Sequence, residues 1–580
     1  MHKRWVVAFS ALMIVALLAS ACAAKPTPTP PPPTSVATKE PSPVPPTATP
    51  MPAAKPKVVR LTFAQEPDSL SPLYTSMWFV AVLRDLYLKT GLIEFNEKNQ
   101  PIPLIAKEIP STANGGISAD GKTITYKLRE DVKWSDGEPL TAEDYVFTWQ
   151  MFMADRNTVS SRDPFDAFVE KVEAPDKYTL VVSFTDPYAP WQCKIFSNVN
   201  TTNAIPKHIL EPVFAKEGTL DNAEWNRNPT VGVGPFLFSE WQSGSHLIFT
   251  ANPNYHLGKP KVDQIFIKIV PDDAAQVAAI KADDTDIGVF ISYADMPDLQ
   301  KLGTVDLVNV QSGYKESFFF NMSTEEKTKG HPALQDVNVR KAIVMAIDRE
   351  KICAELLYGL TKPAVTFWDG TIYADPQAKP IPFDKEGAKK LLDDAGWKVG
   401  PDGTRAKDGV PLKLRYVTMS KDVRKNTQVI VQQMLKEVGV EVELIDHSGD
   451  VFFNSYGDQG PIATGQYDMC QWSNAPSFPD PDTPVWNCKE IPSDENPAGT
   501  NWEFFCDKEL DDLLIKSSVT VDPEARKQLY FQISKIVNDK VYWASVWDDP
   551  DWWTVSKKLK NVKLSGATCF WNAHEWDVQP

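Results

Sequence analysis

The sequence predicts an α/β protein with mixed β-sheets. The clearest indication is a strand–helix–strand order, in which a strand at 412–417 leads to a helix at 423–438 and a strand at 440–445. Strands joined through a helix in this way pair in parallel. A hydrophobic share of 42% and 18 Trp among 580 residues can fill large cores. We therefore expect a globular body of several domains.

The N-terminus is typical of an exported protein. Lys3 and Arg4 precede an apolar stretch at 6–18, which is too short to span a bilayer comfortably. Ala19-Ser20-Ala21 then leads to Cys22, as in a lipoprotein signal peptide that is cleaved before an acylated cysteine. We expect 1–22 to be this signal and its Cys22 anchor. The alternative is ordinary cleavage after Ala21, which would give a secreted protein with an incidental thiol.

Residues 23–56 are predicted to be a tether between the anchor and the body. They consist almost entirely of Pro, Thr, Ser, Ala and Lys, and they show no apolar periodicity that could build a core. Polyproline geometry at about 3.1 Å per residue would let the tether extend roughly 100 Å. Anchor, tether and body together place the protein at the outer face of the cytoplasmic membrane. A surface-displayed hydrolase would suit the same arrangement.

Charge and cysteine usage limit the classes of partner. The net charge of −16 argues against nucleic acid and against an anionic membrane surface as the main partner. Cys488 and Cys506 flank a loop-rich segment and are our candidate disulfide, although spacing alone leaves other pairings open. The sequence has no CxxC motif and its seven His are scattered, so we expect no metal site.

The best-defined local unit runs from 124 to 153. Alternating apolar residues at 124–128 predict a strand, and Ser135-Asp136-Gly137 predicts a turn. Thr141 is a candidate helix N-cap, with Asp144 in a capping-box position. The apolar face predicted for the following helix comprises Val146, Trp149 and Met153.

The other strands and helices are predicted from hydrophobic periodicity and from residues that typically begin or end such elements. Strands are expected at 58–63, 178–184, 247–250, 265–270, 317–321, 542–546 and 562–564, and helices at 78–89, 274–281, 336–347, 384–395 and 522–536. The GxG at 232–234 lacks the following helix of a dinucleotide site, so we interpret it as a tight turn. The acidic runs 283–288 and 548–551 are interpreted as solvated loops.

No catalytic motif is present in the sequence. It contains no GxSxG, no HExxH and no P-loop pattern, so we assign no catalytic residue and no cofactor. Paired carboxylates for glycoside cleavage could still lie among the 76 acidic residues. A surface-anchored hydrolase and a sensor or folding helper therefore remain as alternatives to a binding protein.

Several blocks, taken in order, resemble the solute-binding proteins of family 5, which are extracytoplasmic receptors of ABC importers for peptides, nickel and related solutes. The blocks are EPDSLSP at 66–72, the unit at 126–150 with its WSDG, GVGPFLF at 232–238, NPNYHLGKPKVD at 252–263, DVNVRKAIVMAIDREKI at 336–352, DKEGAKKLLDDAGW at 384–397 and FPDPDT at 478–483. Together they cover nearly everything from about 58 to 565.

The resemblance implies a two-lobed clamp of the type II periplasmic-binding-protein kind, with an extra α+β domain as a third lobe. Lobe I would comprise 57–95, 215–312 and 548–580, the extra domain 96–214, and lobe III 313–547. A monomer of this kind would close on its ligand by hinge motion and then dock on the transmembrane permease subunits of the importer.

The resemblance also suggests the ligand site. Peptide-binding relatives carry an Asp three residues after a Trp, where it pairs with the α-ammonium of the peptide. Counting from Trp472 places Ala475 there, and counting back from Asp480-Pro481 places Ser477 there, so neither position is charged. We therefore expect a peptide-sized polar solute, with an oligosaccharide as the alternative to a peptide. The predicted pocket residues, each of which could instead belong to a core, are Trp472, Asn474 and Phe478 from lobe III, with Tyr74 and Trp78 from lobe I.

Overall fold

The computed structural model describes residues 55–75, 77–199, 202–454, 456–457, 459–475, 478–481, 484–497 and 499–579. The predicted signal peptide with Cys22 and nearly all of the tether lie outside these residues. Within the described part of the chain, no helix is both long and apolar enough to cross a membrane.

A seven-stranded mixed sheet, here called the first sheet, draws its strands from distant parts of the chain. Its order is Val305–Val310, Asp551–Ser556, Ile287–Gly288, Val58–Phe63, Gln264–Ile269, His246–Ala251 and Phe236–Gln242. The strand Val58–Phe63 runs parallel to both of its neighbours, and the remaining pairs are antiparallel. Helix Trp78–Tyr87 packs against its core through Phe79, Leu83 and Leu86.

A five-stranded mixed sheet, the second sheet, contains the predicted strand–helix–strand unit. Its order is Glu441–His447, Lys413–Met419, Met469–Asn474, Lys315–Phe320 and Ala544–Asp548. Strand Lys413–Met419 pairs in parallel with Glu441–His447, and helix Asp422–Lys436 connects the two. The α/β class and the parallel pair predicted from the sequence are thus confirmed.

The unit at 124–153 forms an antiparallel three-stranded sheet with a helix against it. The sheet order is Thr123–Lys127, Thr179–Phe184 and Val169–Asp176, and the helix is Ala142–Met153. The backbone N–H of Thr141 donates to the Asp144 carboxylate at 2.9 Å, as the capping box predicts. Val146, Trp149 and Met153, the predicted apolar face, are half-buried and pack against the main core. The most deeply buried positions of the helix are Ala142, Tyr145, Thr148 and Phe152.

The remaining elements are short strands, helices and 3₁₀ turns. Three minor sheets pair Ile93–Phe95 with Pro101–Pro103, Lys398–Val399 with Arg405–Lys407 and Val410–Pro411, and Leu559–Lys560 with Asp577–Val578. The helices are Phe165–Phe168, Trp191–Lys194, Lys207–Glu217, Asp273–Lys281, Met296–Lys301, Val337–Met345, Arg349–Leu356, Lys385–Asp394, Gly449–Phe452, Lys508–Val519 and Pro523–Asp539. The 3₁₀ turns are Glu224–Asn226, Pro332–Gln335, Pro484–Trp486, Cys488–Glu490 and Ala573–Glu575.

Two short connections join the first sheet to the second. One lies between Val305–Val310 and Lys315–Phe320, and the other between Ala544–Asp548 and Asp551–Ser556. Because two short connections join the bodies built around the two sheets, hinge bending is the simplest relative motion of these bodies. The boundaries given above for lobe I, the extra domain and lobe III remain a prediction.

Close contacts bear on two of the sequence interpretations, that of the acidic run 283–288 and that of the GxG at 232–234. The run 283–288 is a solvated turn only at Asp283 and Asp284, because Asp286 is buried and accepts hydrogen bonds from the Arg60 guanidinium at 2.8 and 2.9 Å. The GxG at 232–234 lies against the end of helix Trp78–Tyr87. A Cβ on Gly232 or on Gly234 would come within 2.1 Å of a helix carbonyl oxygen, so side chains are excluded there.

The structure joins Cys488 and Cys506 in a disulfide across 18 residues. Loop-closure entropy predicts that replacing both with serine lowers the free energy of unfolding by about 3 kcal/mol. Urea unfolding followed by circular dichroism would measure this loss. The unsubstituted protein in excess reductant is the matched control and should shift equally, whereas a loss below about 1 kcal/mol in both would contradict the prediction.

Candidate ligand-binding cleft

A cavity of about 230 Å³ lies between helix Trp78–Tyr87 and the first of the two connections between the sheets. Its wall comes from one face of that helix, from the connection at 312–314, from 566–569 near the C-terminus, and from Ala475 and Phe478 after strand Met469–Asn474. The cavity is therefore built from segments associated with both sheets. Such a position between two bodies is typical of ligand sites.

Aromatic side chains form the opposite ends of this wall. The ring of Trp78 is half-buried and packs on Phe290, with 4.6 Å between the ring centroids. Phe478 lies against Gly313, where an added Cβ would come within 2.4 Å of the Phe478 ring. Gly313 also has a φ of 84°, which L side chains rarely adopt, so glycine is required there on two grounds. The close approach holds Phe478 at the cavity.

The polar groups of the cavity wall belong to Asp85, Asn198, Ser312, Tyr314 and Cys569. Asp85 shares a helix face with Trp78, Ala81 and Val82, at the i, i+3, i+4 and i+7 spacing of one apolar stripe. Its carboxyl is 2% exposed, and Oδ2 accepts the backbone N–H of Phe570 at 3.1 Å. Burial raises the pKa of the Asp85 carboxyl above its ordinary value, and the Lys89 ammonium opposes this shift.

The acidic segment 548–551 lies at this same crossing, so its interpretation as a solvated loop was wrong. The Asp548 carboxylate is 3.1 Å from the Nζ of Lys315, whose side chain is fully buried. Asp549 accepts the hydroxyl hydrogen of Ser473 at 2.7 Å and the indole N–H of Trp547 at 3.1 Å. Burial raises the pKa of Asp551 to about 7, and the nearby Asp549 acts in the same direction.

A larger groove of about 550 Å³ adjoins the cavity. Phe478 lines the cavity, and the next residues, Pro479 and Asp480, line the groove. Asp480 forms an ion pair with the buried Arg526, which also donates to the Tyr373 hydroxyl at 3.1 Å. The facing wall includes Phe95, Asn99, Trp191 and Gln192. Cavity and groove together form what we call the cleft.

A third cavity, of about 640 Å³, is lined only by residues between 322 and 542. It includes Cys506 of the disulfide and the charged residues Lys327, Asp494 and Glu495. None of its wall comes from the first sheet or its helices. It therefore lacks the two-sided construction of the cleft.

The predicted pocket residues have different locations. Trp78 and Phe478 line the cavity together with Ala475. Trp472 does not line it; its ring is 4% exposed and stacks on Phe319 in a core, with 4.0 Å between the centroids. Asn474 ends its strand opposite Lys315 and is not part of the cavity wall.

Tyr74 also lies away from the cavity wall. Its half-buried ring packs on the core of the first sheet, and burial together with the charge of Asp221 raises the pKa of its hydroxyl. The polar wall residues that sequence reasoning missed include Asp85, Asn198, Ser312 and Tyr314. Only Asp85 carried a usable signal, since it follows Trp78 by two helical turns. No group of three or more His, Cys, Asp or Glu in the described ranges could hold a metal ion.

A sequence model of the family described as bacterial extracellular solute-binding proteins, family 5 middle, matches residues 100–491. The chain belongs to this family. Members of family 5 are substrate-binding components of ABC importers rather than enzymes, and they work outside the cytoplasm. The family resemblance drawn from the sequence blocks is thus confirmed.

Individual relatives agree with this assignment. The chain is 26% identical to the oligopeptide-binding protein AppA of Bacillus subtilis over 521 residues, which cover 88% of this chain and 90% of AppA. It is 25% identical to di/tripeptide-binding protein 2 of Pseudomonas aeruginosa, covering 84% and 89% of the two chains. The crystal structure of NikA from Brucella suis in complex with Fe(III)-EDTA has a TM-score of 0.75 at 24% identity, covering 90% of this chain and all of NikA. This likeness confirms the clamp type of fold.

Proposed function

We propose that this family 5 protein captures a peptide-sized polar solute in its cleft by hinge closure and delivers it to the permease subunits of an ABC importer. The observation that supports this most directly is that the cavity wall combines helix Trp78–Tyr87 beside the first sheet, the crossing at 312–314, and Ala475 and Phe478 after a strand of the second sheet. A solute held there would contact both bodies at once. Closing would bury it, so the solute would stabilise the closed form relative to the open one.

The lobe boundaries expected from the sequence fit this proposal. The first sheet would be the core of lobe I and the second sheet that of lobe III, with the three-stranded sheet in the extra domain. Gly313 lies in one crossing and has the backbone freedom that a hinge needs. The cleft would open and close about this crossing and the one at 549–550.

The identity of the solute is proposed from the cavity wall. Ala475, one of the two positions expected to correspond to the Asp of peptide-binding relatives, lines the cavity and is uncharged, and the other position, Ser477, lies outside the described residues. The aromatic faces of Trp78 and Phe478 can stack on sugar rings as well as on side chains. This favours an oligosaccharide as the second candidate beside a peptide.

The same proposal includes the mode of attachment. We propose that Cys22 is acylated, that 23–56 is a tether, and that the protein acts as a monomer at the outer face of the cytoplasmic membrane. Mass spectrometry of the mature N-terminus would test the anchor, because acylation adds the mass of the lipid chains to Cys22. An unmodified N-terminus at that residue would contradict it.

The import function is tested by the solute that co-purifies with the protein. We expect native mass spectrometry to show a small molecule that leaves on mild unfolding with its mass unchanged. Re-adding it to the refolded protein should reduce the radius of gyration in small-angle scattering, because closure brings the lobes together. Equal dimensions with and without the solute, or a chemically altered product, would refute the proposal.

A further inference from the structure

The Asp85 carboxyl group is buried, lines the cavity and has an unused acceptor oxygen. Its side chain is 2% exposed, and only Oδ2 is engaged, by the Phe570 N–H at 3.1 Å. Oδ1 accepts no hydrogen bond from any residue in the described part of the chain. Leaving such an atom without a partner costs free energy, so a donor at this place would be strongly favoured.

The nearby cations do not fill this position. Lys89 is fully buried and forms an ion pair with Glu94, and it also donates to the carbonyl of Trp571 at 3.1 Å. Among the described residues, Asp85 itself forms no ion pair with either Lys89 or Arg84. Asn198, whose Nδ2 also has no partner among the described residues, lines the same cavity. A solute in the cavity could therefore supply a donor to Oδ1 and an acceptor to Asn198.

The rest of the wall suits a compact organic cation. Trp78 lies on the same helix face as Asp85, and Phe478 and Tyr314 line the same cavity, so three aromatic residues contribute to its wall. Aromatic faces attract ammonium groups, most strongly where water is excluded. Within the residues that the structure describes, the remaining wall carries no second acidic or basic side chain, and its polar residues Asn198 and Ser312 are uncharged.

We propose that Asp85 is the specificity residue of the cavity and that the solute presents a protonated amino group to it. This inference rests on the proposed function and names the chemical class of its solute. The anion would stand on the lobe I side of the cavity, opposite the uncharged Ala475. A peptide N-terminus, an amino sugar and a polyamine share the required chemistry.

Three pairs of probes distinguish these sources, each pair differing only in N-acetylation. They are trialanine and N-acetyl-trialanine, the glucosamine trimer and the N-acetylglucosamine trimer, and spermidine and N-acetylspermidine. In calorimetric titrations of the solute-stripped full chain, we expect the free amine of at least one pair to bind about 10- to 100-fold more tightly than its acetylated partner. The pair that shows the difference identifies the source.

Substitutions in the protein test whether Asp85 causes the preference for the free amine. Asp85→Asn keeps the shape and the acceptor for Phe570, and it should erase the preference for the free amine. Adding Ala475→Asp to that variant returns an acid to the same cavity from the other wall, and it should restore binding. Asp131→Asn removes an exposed charge outside the cavity and should change nothing. Circular dichroism melting would show that each variant is folded.

Two outcomes would overturn the inference. One is equal affinity of the unsubstituted protein and Asp85→Asn for every free amine, and the other is the absence of binding by all three amines. A co-purified solute without an amino group would also refute this inference, yet it would leave the import function intact. Conversely, tight amine binding without any contraction in scattering would refute hinge closure and not the role of Asp85.

Discussion

Replacing Trp472 with alanine is expected to lower the free energy of unfolding by about 3–5 kcal/mol. The Trp472 ring stacks on Phe319 with 4.0 Å between centroids, and Phe452 and Trp502 meet it edge-on at 5.9 Å. Removing the ring would leave a cavity among aromatic neighbours that relax only in part. Urea unfolding followed by far-ultraviolet circular dichroism would measure the loss independently of tryptophan fluorescence.

Trp78→Ala is the matched control for this prediction. Its ring is half-buried at the cleft, so the truncation should cost less stability and should instead weaken solute binding. The two variants therefore separate a core tryptophan from a binding one. If Trp472→Ala were as stable as the unsubstituted protein and had lost its solute, the assignment of Trp472 to the core would be wrong.

The difference between these two tryptophans could not be predicted from the sequence. Strand Met469–Asn474 lies inside the second sheet, and its first four residues are all buried. Alternation of burial along a strand tells the two faces apart only when one of them is exposed. The residue type was equally uninformative, because tryptophan suits an aromatic core and a solute-binding wall alike.

Local rules, by contrast, predicted much of the fold. The parallel pair of Lys413–Met419 and Glu441–His447 follows from strand period, helix length and the glycine between them. The Thr141 cap also depends only on residues within one helical turn. Features of this kind are encoded within a few neighbouring positions, so a single sequence carries them.

The acidic segment at 548–551 shows where such rules end. Four polar or turn-forming residues in a row indicate a solvated loop. In the structure, however, Asp548 forms an ion pair with Lys315, and Asp549 accepts a hydrogen bond from Ser473. These partners are separated from the segment by 233 and 76 residues. Only the meeting of the two crossings brings them together. Asp85 was missed for a related reason, since its importance comes from a cavity whose other walls lie far along the chain.

The second large effect is expected from Glu316→Ala, which should lower the free energy of unfolding by about 3–5 kcal/mol. Glu316 is 1% exposed in the strand that follows the first crossing. Arg424 donates to its two carboxylate oxygens at 2.7 and 2.8 Å, and Gln471 donates at 2.8 Å. Removing the carboxylate would leave the guanidinium buried without its counter-charge. Urea unfolding at neutral pH would measure the loss.

An exposed pair in the same sheet provides the control. Lys413 and Glu441 are 3.0 Å apart with about half of each side chain exposed, so Lys413→Ala should cost far less stability than Glu316→Ala. The double variant Glu316→Ala/Arg424→Met should recover stability relative to Glu316→Ala alone, because no buried charge is then left unpaired. Equal small losses in Glu316→Ala and Lys413→Ala would show that Arg424 reaches solvent. In that event the ion pair between Glu316 and Arg424 would not hold strand Lys315–Phe320 in place after the first crossing. A hinge motion at this crossing would then deform the second sheet.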